Sequence, residues 1–250
     1  VSVGGTFNAP NLAETTCENM TIQNNGIFNN SSSTLMIGTG CVWYENGTNP
    51  QIGNTQAITD IIIDGTLEIQ NQNTDLAPAS FNSLTVNNGG LLTHQANSTI
   101  QTDALNMSLT DLTVNTGGKI DVSEKGYIGS SVRNGAGNGP GASPGSWSFG
   151  VGGAGYGGNG GTGEGGGIPG IAYGSVTSPI DIGSGAGGGD QSTGGTGGGA
   201  VVIAVSQTAT VDGEILANGG DGTGNYDGGG GGSGGSIWIT SETFTGSGLI

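Results

Sequence analysis

The sequence predicts an all-β protein built from repeated pairs of short strands. No stretch places apolar residues at the i, i+3, i+4 and i+7 positions of an amphipathic helix. Thr, Asn, Ser and Gly dominate the chain, and all four are weaker helix formers than Ala or Leu. Short alternating strands joined by an Asn, Asp or Gly corner recur instead.

The recurring unit is a strand, a corner and a second strand. Residues 84–92 (LTVNNGGLL) and 112–120 (LTVNTGGKI) match at an offset of 28. Residues 20–28 (MTIQNNGIF) and 61–69 (IIIDGTLEI) are looser copies, so the spacings are 41, 23 and 28 residues, with one insertion. Such spacings indicate a solenoid, because one unit cannot bury its apolar face alone whereas stacked copies share a core.

A further pair lies near the end of the sequence, where residues 201–215 align with residues 236–250 at an offset of 35 without a gap. We therefore predict three regions. Residues 1–128 form N-terminal solenoid repeats, residues 129–199 form a glycine-rich insertion, and residues 200–250 continue the same solenoid.

The repeats at 20–125 and 200–250 resemble the rungs of right-handed parallel β-helices, the architecture of many secreted adhesins, tail spikes and polysaccharide lyases. The resemblance implies a glycine-rich β-helical surface protein of the adhesin or extracellular fibre type. The alternative fold is a β-sandwich built from similar short strands.

Glycine fills 57 of the 250 positions, and 29 of the 66 positions from 134 to 199. It recurs every third residue, which is the period of a polyproline II helix. The series are Gly152, Gly155, Gly158 and Gly161; Gly157, Gly160, Gly163 and Gly166; and Gly228, Gly231 and Gly234. Aromatic residues are interspersed, so we predict packed threefold helices at 150–167 rather than solvated loops. A similar glycine-rich sandwich occurs in some phage tail-tip adhesins, which implies a receptor-binding role.

The charge balance excludes several partners. Only Lys119, Lys125 and Arg133 oppose 19 acidic residues, for a formal charge of -16. Nucleic acids and anionic membranes are bound through Lys and Arg, so neither is an expected partner. An apolar run of about 18 residues is also missing, so no membrane insertion is predicted.

Two features predict an extracellular or cell-surface location. Six Asn-x-Ser/Thr sequons are candidate glycosylation sites: Asn19, Asn29, Asn30, Asn46, Asn97 and Asn106. Cys17 and Cys41 are the only cysteines and predict one disulfide, with two reduced, buried cysteines as the alternative.

Metal and histidine chemistry have few candidate residues. His94 is the only histidine, and its place in an alternating strand predicts an outward polar side chain without a catalytic role. We predict no cofactor apart from calcium, for which Asp212, Asp221 and Asp227 are the candidate ligands. The stretch is similar to the calcium-binding GGxGxD nonapeptide, but Gly224 stands where Asp is expected, so solvated acidic turns are the other interpretation.

The predicted function is a non-enzymatic, secreted structural subunit of a cell-surface fibre, sheath or appendage. Open solenoid ends would pair head to tail into a homopolymer, and the N-terminal strand at residues 1–7 would be available for donation to a neighbouring copy.

Two other functions remain open. One is an adhesin tip that binds surface glycans or a receptor, with Trp147, Tyr156 and Tyr173 stacking on sugar rings. The other is a hydrolase of neutral glycans, whose paired carboxylates would be Asp60 with Asp64, or Asp111 with Asp121.

Overall fold

The computed structural model describes residues 60–70, 79–147, 150–224 and 228–250, together with six strands before residue 60. Within these residues the structure consists of strands and loops, with one 3₁₀ turn at Glu164–Gly166. The strands are β1 (Ser2–Val3), β2 (Thr6–Ala9), β3 (Met20–Ile22), β4 (Ile27–Asn30), β5 (Thr34–Ile37), β6 (Val42–Asn46), β7 (Asp60–Ile63), β8 (Thr66–Gln70), β9 (Ala79–Val86), β10 (Leu91–His94), β11 (Leu105–Val114), β12 (Lys119–Asp121), β13 (Ser192–Thr193), β14 (Ala200–Val205), β15 (Thr208–Val211), β16 (Glu214–Leu216), β17 (Thr223–Gly224), β18 (Ser236–Thr240) and β19 (Thr243–Thr245).

Two parallel sheets form the framework. The first sheet has the order β1-β3-β6-β8-β10-β12-β16, and the second has β5-β7-β9-β11-β14-β18. In the second sheet β15 also pairs with β11, and β19 pairs with β15. From β6 to β12 successive strands of the chain alternate between the two sheets. Among the described strands, only β13 and β17 pair antiparallel. The prediction of an all-β fold is confirmed, and the parallel pairing differs from the antiparallel sheets of the alternative sandwich.

The core lies where the apolar faces of the two sheets meet. In β7 and β8 burial alternates strictly, with Ile61, Ile63, Leu67 and Ile69 pointing inward. Parallel register carries each inward position to the next strand, so Ile61 lies beside Leu84. The buried cluster comprises Ile37, Ile61, Ile63, Leu67, Ile69, Leu84, Val86, Leu92, Leu105, Met107, Leu109, Leu112, Val114, Ile120, Val122, Val201, Ile203, Val205, Ala209, Val211 and Ile215.

The register confirms some predicted offsets and corrects others. Ile61 pairs with Leu84 and Leu84 with Leu112, as the offsets of 23 and 28 require. The equivalence of residues 20 and 61 is wrong, because β3 lies in the first sheet and β7 in the second. The intervening repeat, β5 and β6, was missed, so the spacing of 41 is not an insertion.

The C-terminal offset of 35 is correct for only part of its length. It holds from β15 onward, where Thr208 pairs with Thr243. Between β14 and β18 the offset is 36, because Ala200 pairs with Ser236 and Ala204 with Thr240. The corner after β18 therefore has one residue fewer than the corner after β14, which an ungapped alignment cannot represent.

Corners after the strands of the second sheet carry a ladder of polar side chains. The Asn87 amide donates to the Asp64 carboxylate at 2.7 Å, and the Asn115 amide donates to the Asn87 carbonyl at 2.8 Å. Gly89 and Gly117 follow with φ of 84° and 81°, the left-handed region that glycine adopts without strain. The repeated Asn and Gly positions thus stack identical corners.

The glycine-rich region is hydrogen-bonded through its backbone with a period of three residues. Gly183 N donates to Gly198 O at 2.7 Å, and Ala186 N donates to Gly195 O at 2.9 Å. Gly195 N and Gly198 N in turn donate to the carbonyls of Gly230 and Ser233, both at 2.9 Å. Donors three residues apart point the same way, which is the repeat of a polyproline II helix.

Each glycine segment has more neighbours than a β-strand can have. Residues 194–199 bond to 126–130, 182–188, 217–220 and 229–236, and residues 182–189 are all buried. The layer therefore draws on the described residues of 217–236 as well as on the predicted insertion at 129–199. We call these bonded segments, with the described residues of 135–173, the glycine layer.

The prediction for residues 150–167 is met in its period and corrected in its length. Val151 and Ala154 donate to Gly228 and Gly231, again three residues apart. Gly157, Gly160 and Gly163 donate to the carbonyls of residues 173, 170 and 167. The chain then turns at Glu164–Gly166, where Gly165 and Gly166 have φ of 71° and 100°. Gly157 also has a positive φ, of 53°, so the threefold series is interrupted at Gly157 and ends before Gly166.

Contacts at many glycines of this layer leave no room for a Cβ atom, whereas others have open space, which allows a matched test. A Cβ on Gly195 would lie 2.0 Å from Gly220 O, whereas a Cβ on Gly161 has no atom within 4 Å. We expect Gly195→Ala to lower the free energy of unfolding by about 1–3 kcal/mol through overpacking, and Gly161→Ala to change it by less than about 1 kcal/mol. Chemical denaturation measures both variants, and equal effects would contradict the packed layer.

Candidate functional site

A groove on the glycine layer is formed around two tyrosines. Its volume is about 370 Å³, and it is lined by Tyr156, Gly157, Ala172, Tyr173, Gly174, Ser175, Val176 and Pro179. The two rings meet edge to face, with centroids 4.9 Å apart and planes at 72°. Two of the three predicted stacking residues thus lie in one concave site.

Hydrogen bonds fix the ring of Tyr173. Its hydroxyl donates to Ile182 O and accepts from Ser184 Oγ at 3.0 Å, while Ser184 Oγ also accepts from Gly141 N at 2.9 Å. Burial raises the pKa of Tyr173 above its ordinary value of 10, and the Ser184 bond only partly offsets this. The ring is therefore a neutral, fixed wall.

Tyr156 is held differently. Its hydroxyl is buried and makes no hydrogen bond of good geometry. Burial raises its pKa, and the nearby Ser236 hydroxyl, which itself donates to Asp181 O, lowers it in part. Tyr156 thus contributes its ring, rather than its hydroxyl, to the groove.

Trp147 lies outside the residues that line this groove. Its side chain is 68 % exposed, and the Arg133 guanidinium sits 5.1 Å from the ring centroid. Arg133 also pairs with Asp190 at 2.5 Å. The predicted stacking trio is therefore split, because the exposed face of Trp147 is separate from the tyrosine groove.

A second groove, of about 380 Å³, lies on the outer face of the first sheet. It is lined by Thr66, Glu68, Leu91, Thr93, Asp121, Ser123 and Lys125. Glu68 pairs with Thr93, and Leu92 with Ile120, so Asp121 is two strands from Glu68, roughly 9–10 Å away at the backbone. Lys125 Nζ lies 3.8 Å from Glu68, and Gln70 donates to the same carboxylate at 2.9 Å.

The structure does not bring the predicted catalytic pairs together. Asp111 lies in the second sheet and Asp121 in the first. Asp111 accepts Thr208 N at 3.2 Å, and Asp121 accepts Ser123 N at 2.9 Å. Both carboxylates therefore serve loop geometry.

Asp60 and Asp64 are also used within the fold. Asp60 accepts the Ser83 hydroxyl at 2.6 Å, and Asp64 accepts the Asn87 amide at 2.7 Å. Each carboxylate binds the next repeat rather than a shared cleft. Glu68, which faces the second groove, was missed by the sequence analysis because pairing across strands requires the register.

His94 is buried, so the prediction of an outward side chain is wrong. It is fully inaccessible, with Nδ1 2.7 Å from Gln95 O and Nε2 accepting from Ala200 N at 3.3 Å. A carbonyl only accepts, so the proton is on Nδ1. Gly199 packs against the ring, since a Cβ there would lie 2.2 Å from Nε2. His94 thus joins the first sheet to the glycine layer.

Two sequons are placed by the structure, and neither suits glycosylation of the folded chain. The Asn97 side chain is 3 % exposed and donates to Asp103 O and Lys125 O at 2.9 and 2.8 Å. A glycan on Nδ2 would remove one donor in a space without room for it. Asn106 is likewise buried. We therefore correct the list by removing both.

The other predicted covalent sites lie mostly outside the described residues. This applies to Asn19 and to both cysteines, Cys17 and Cys41. Asn29, Asn30 and Asn46 lie in β4 and β6, for which the structure describes only the backbone. Glycosylation at these four positions and the disulfide stay predictions.

The calcium candidates do not meet within the described residues. Asp212 accepts the backbone N–H and the hydroxyl of Ser247 at 3.0 and 3.2 Å. Asp221 is exposed, and Asp227 lies outside the described residues. The described part of the chain contains no group of three or more metal-ligating His, Cys, Asp or Glu residues.

Comparisons with known proteins give no relative. No protein family, curated protein or solved structure matches the chain. Among the described residues, no helix is long and apolar enough to cross a membrane.

Sequence reasoning found the tyrosines but missed the rest of the groove. Gly174, Ser175 and Val176 follow Tyr173 directly, so the interruption of the glycine pattern at residues 171–182 was the available signal. Such a break marks a segment whose side chains are used for something other than close backbone packing.

His94 predicts a pH dependence of stability. Burial lowers its pKa from 6.5 to about 4, and nearby Lys125 adds to the effect. The folded state therefore favours neutral imidazole, so its contribution is complete above pH 6.5 and is lost as the pH falls toward 4. The difference corresponds to about 3 kcal/mol. Urea unfolding of wild type and His94→Gln from pH 7 to 4 should show the steeper loss in wild type; parallel curves would contradict this.

The tyrosines predict a loss of stability in alkali. Burial raises the pKa values of Tyr127, Tyr156 and Tyr173 above 10. Folding therefore favours the neutral phenols, and their contribution is complete below pH 10 and lost as the pH rises above it. Spectrophotometric titration should show delayed ionisation with unfolding. A Tyr173→Phe variant should lose less stability than wild type between pH 9 and 11, and an unchanged slope would exclude Tyr173 as a cause.

Proposed function

We propose that the chain is a non-enzymatic structural subunit of an extracellular fibre, sheath or appendage. In this proposal the two sheets are the faces of a right-handed parallel β-helix, and the glycine layer is a lattice of polyproline II helices attached to it. Copies pair head to tail through the first and last rungs.

The observation that carries the proposal is the edge formed by the last repeat. Within the described residues, β18 pairs only with β14, and β19 only with β15. Ile237 and Ile239 are only partly buried against the core, and three apolar side chains beyond them are exposed, namely Phe244, Leu249 and Ile250. An edge with unpaired backbone groups and apolar side chains favours addition of another strand.

The strands at the opposite edge run in the same direction as those of the last repeat. β1 pairs on one side with β3, and β2 on one side with β4, both in parallel. The N-terminal strands are therefore paired within their own chain, so the idea that they are donated to a neighbour is wrong in its simple form. Within the described residues β1 and β2 have no second partner strand. In this proposal the last rung of another copy stacks on that side without reversing direction, giving a heterologous contact that does not close.

An enzymatic function receives less support. The predicted carboxylate pairs are separated or engaged in hydrogen bonds between repeats. The Glu68 carboxylate in the outer groove is occupied by Lys125 and Gln70. Secretion and glycosylation fit an extracellular subunit and rest on the sequence alone.

A charge at the exposed edge should prevent assembly. Phe244 in β19 is 51 % exposed, and Ile168 in the glycine layer is 66 % exposed. We expect wild type and the control Ile168→Lys to form linear particles as concentration rises, because within the described residues β18 and β19 each pair on one side alone. Phe244→Lys should stay monomeric, since a lysine on an edge opposes strand addition.

Light scattering with negative-stain microscopy measures this difference. Wild-type protein that stays monomeric at high concentration would exclude head-to-tail assembly. Equal assembly of Phe244→Lys and wild type would exclude this edge as the contact.

A further inference from the structure

The groove between Tyr156 and Tyr173 has features of a preformed ligand site. Its two walls are joined by Gly157 N, which donates to Tyr173 O at 3.0 Å, and by Ala172 N, which donates to Asn159 Oδ1 at 2.8 Å. Walls fixed before a ligand arrives lower the entropy cost of binding.

The rim at 175–178 is also ordered by its own hydrogen bonds. Ser175 Oγ accepts from Thr177 N at 3.3 Å and from Ser178 N at 3.1 Å. Gly174 has φ of 83°, and a Cβ there would lie 2.7 Å from Tyr156 Cε2. The backbone thus passes directly against the tyrosine ring, which only glycine permits at this distance.

The lining restricts the charge of a ligand. None of the eight lining residues carries a charge at neutral pH, since a tyrosine ordinarily ionises near pH 10 and burial raises the pKa values of both tyrosines further. An anion would lose hydration without gaining an ion pair, and the net charge of -16 repels anions at long range. A cation would also find no carboxylate in the lining, because Asp181, whose charge raises the pKa values of both tyrosines, is not among the lining residues. The matching ligand is neutral.

Size and chemistry narrow the ligand further. A volume of about 370 Å³ lies at the small end of ligand pockets, which span roughly 300–1,000 Å³. Tyrosine rings pack on the apolar C–H face of a pyranose, while backbone groups and the Ser175 hydroxyl are available to its hydroxyls. We propose that this groove binds a neutral saccharide unit. The site is separate from the proposed contact between copies, because none of its lining residues lies in β18 or β19. The Tyr156 hydroxyl lies near Ser236, the buried first residue of β18.

The test uses a panel of soluble probes. Cellotriose, maltotriose, mannotriose and chitotriose represent neutral saccharides, trigalacturonate represents an acidic one, and hexaproline represents an extended peptide that aromatic grooves also bind. Saturation-transfer NMR identifies the binder, and calorimetry measures its affinity. We expect at least one neutral trisaccharide to bind wild type, and trigalacturonate and hexaproline not to bind.

Variants assign binding to the groove. Val176 is 93 % exposed, so Val176→Arg should fold normally while placing a long charged side chain over the site. We expect it to weaken binding at least about tenfold, equivalent to about 1.4 kcal/mol. The matched control is Ile168→Arg, which adds the same charge outside the lining and should bind as wild type does.

Tyr156 supplies a second comparison. Tyr156→Ala should abolish binding, whereas Tyr156→Phe should bind as wild type does, because the tyrosine hydroxyl is buried away from the ligand. Circular dichroism checks that each variant folds, and Val176→Arg decides the question where Tyr156→Ala does not. The proposal is overturned if no neutral trisaccharide binds at millimolar concentration, if Val176→Arg binds as well as wild type, or if trigalacturonate or hexaproline is the preferred ligand.

Discussion

Parallel, in-register hydrogen bonding between successive repeats is the constraint on which the rest of the structure depends. It stacks the inward positions of successive repeats into rows that are mostly apolar, as in the row from Ile61 through Leu84 to Leu112. His94, which is in register with Ile69, is a buried polar exception. The same pairing also stacks the corners, so that Asn87 binds both Asp64 below and Asn115 above. A polar side chain at these corners has its hydrogen bonds satisfied by its counterparts in the neighbouring repeats, so the residue at each corner depends on the residues stacked above and below it.

The glycine layer extends the same constraint into a second geometry. A strand pairs on two sides, whereas a segment with a three-residue period directs its N–H and C=O groups in more than two directions. Segment 194–199 therefore bonds to four other segments. The backbones then approach until no Cβ fits, as Gly195 and Gly220 show. Buried serines replace missing backbone partners, as Ser184 does for Gly141 and Ser143 for Gly187.

The layer grows from one corner of consecutive repeats. The chain leaves the first sheet after β12 and again after β16, and it enters the second sheet at β14 and at β18. Gly199 N donates to Val122 O, Gly235 N to Ala217 O, and Ser236 N to Gly199 O, so exits and returns are bonded to one another. His94 fills the remaining space beside Gly199. These hydrogen bonds fix the position of the glycine layer relative to the register of the sheets.

These relations explain what the sequence could predict. Local repetition predicted the offset of 28, because Asn87 and Asn115 occupy equivalent corners with the same Asn and Gly chemistry. The repeat at β5 and β6 was missed because its corner lacks the Asn-Gly signature, and the sheet to which β3 belongs depends on pairing with Trp43. Burial of His94 and Asn97 was not predictable either, since both are covered by segments distant in sequence, at Ala200 and Lys125.

The same physics places the chemistry of the glycine layer. Inside the glycine layer a side chain would separate the backbones, so recognising groups lie where the threefold pattern is interrupted or reverses. Tyr156, for example, precedes Gly157, whose φ is 53°. The segment at 171–182 is a turn of this kind, and it carries Tyr173, Ser175 and Val176, which line the groove together with Tyr156. Trp147 lies at another exposed loop of the layer. The turns are held by a framework that tolerates almost no change, while Val176 contacts solvent over most of its surface. The proposed recognition can therefore vary at the turns without altering the glycine layer, whereas the proposed assembly depends on the edges of the sheets, so the two proposed functions lie in separate parts of one chain.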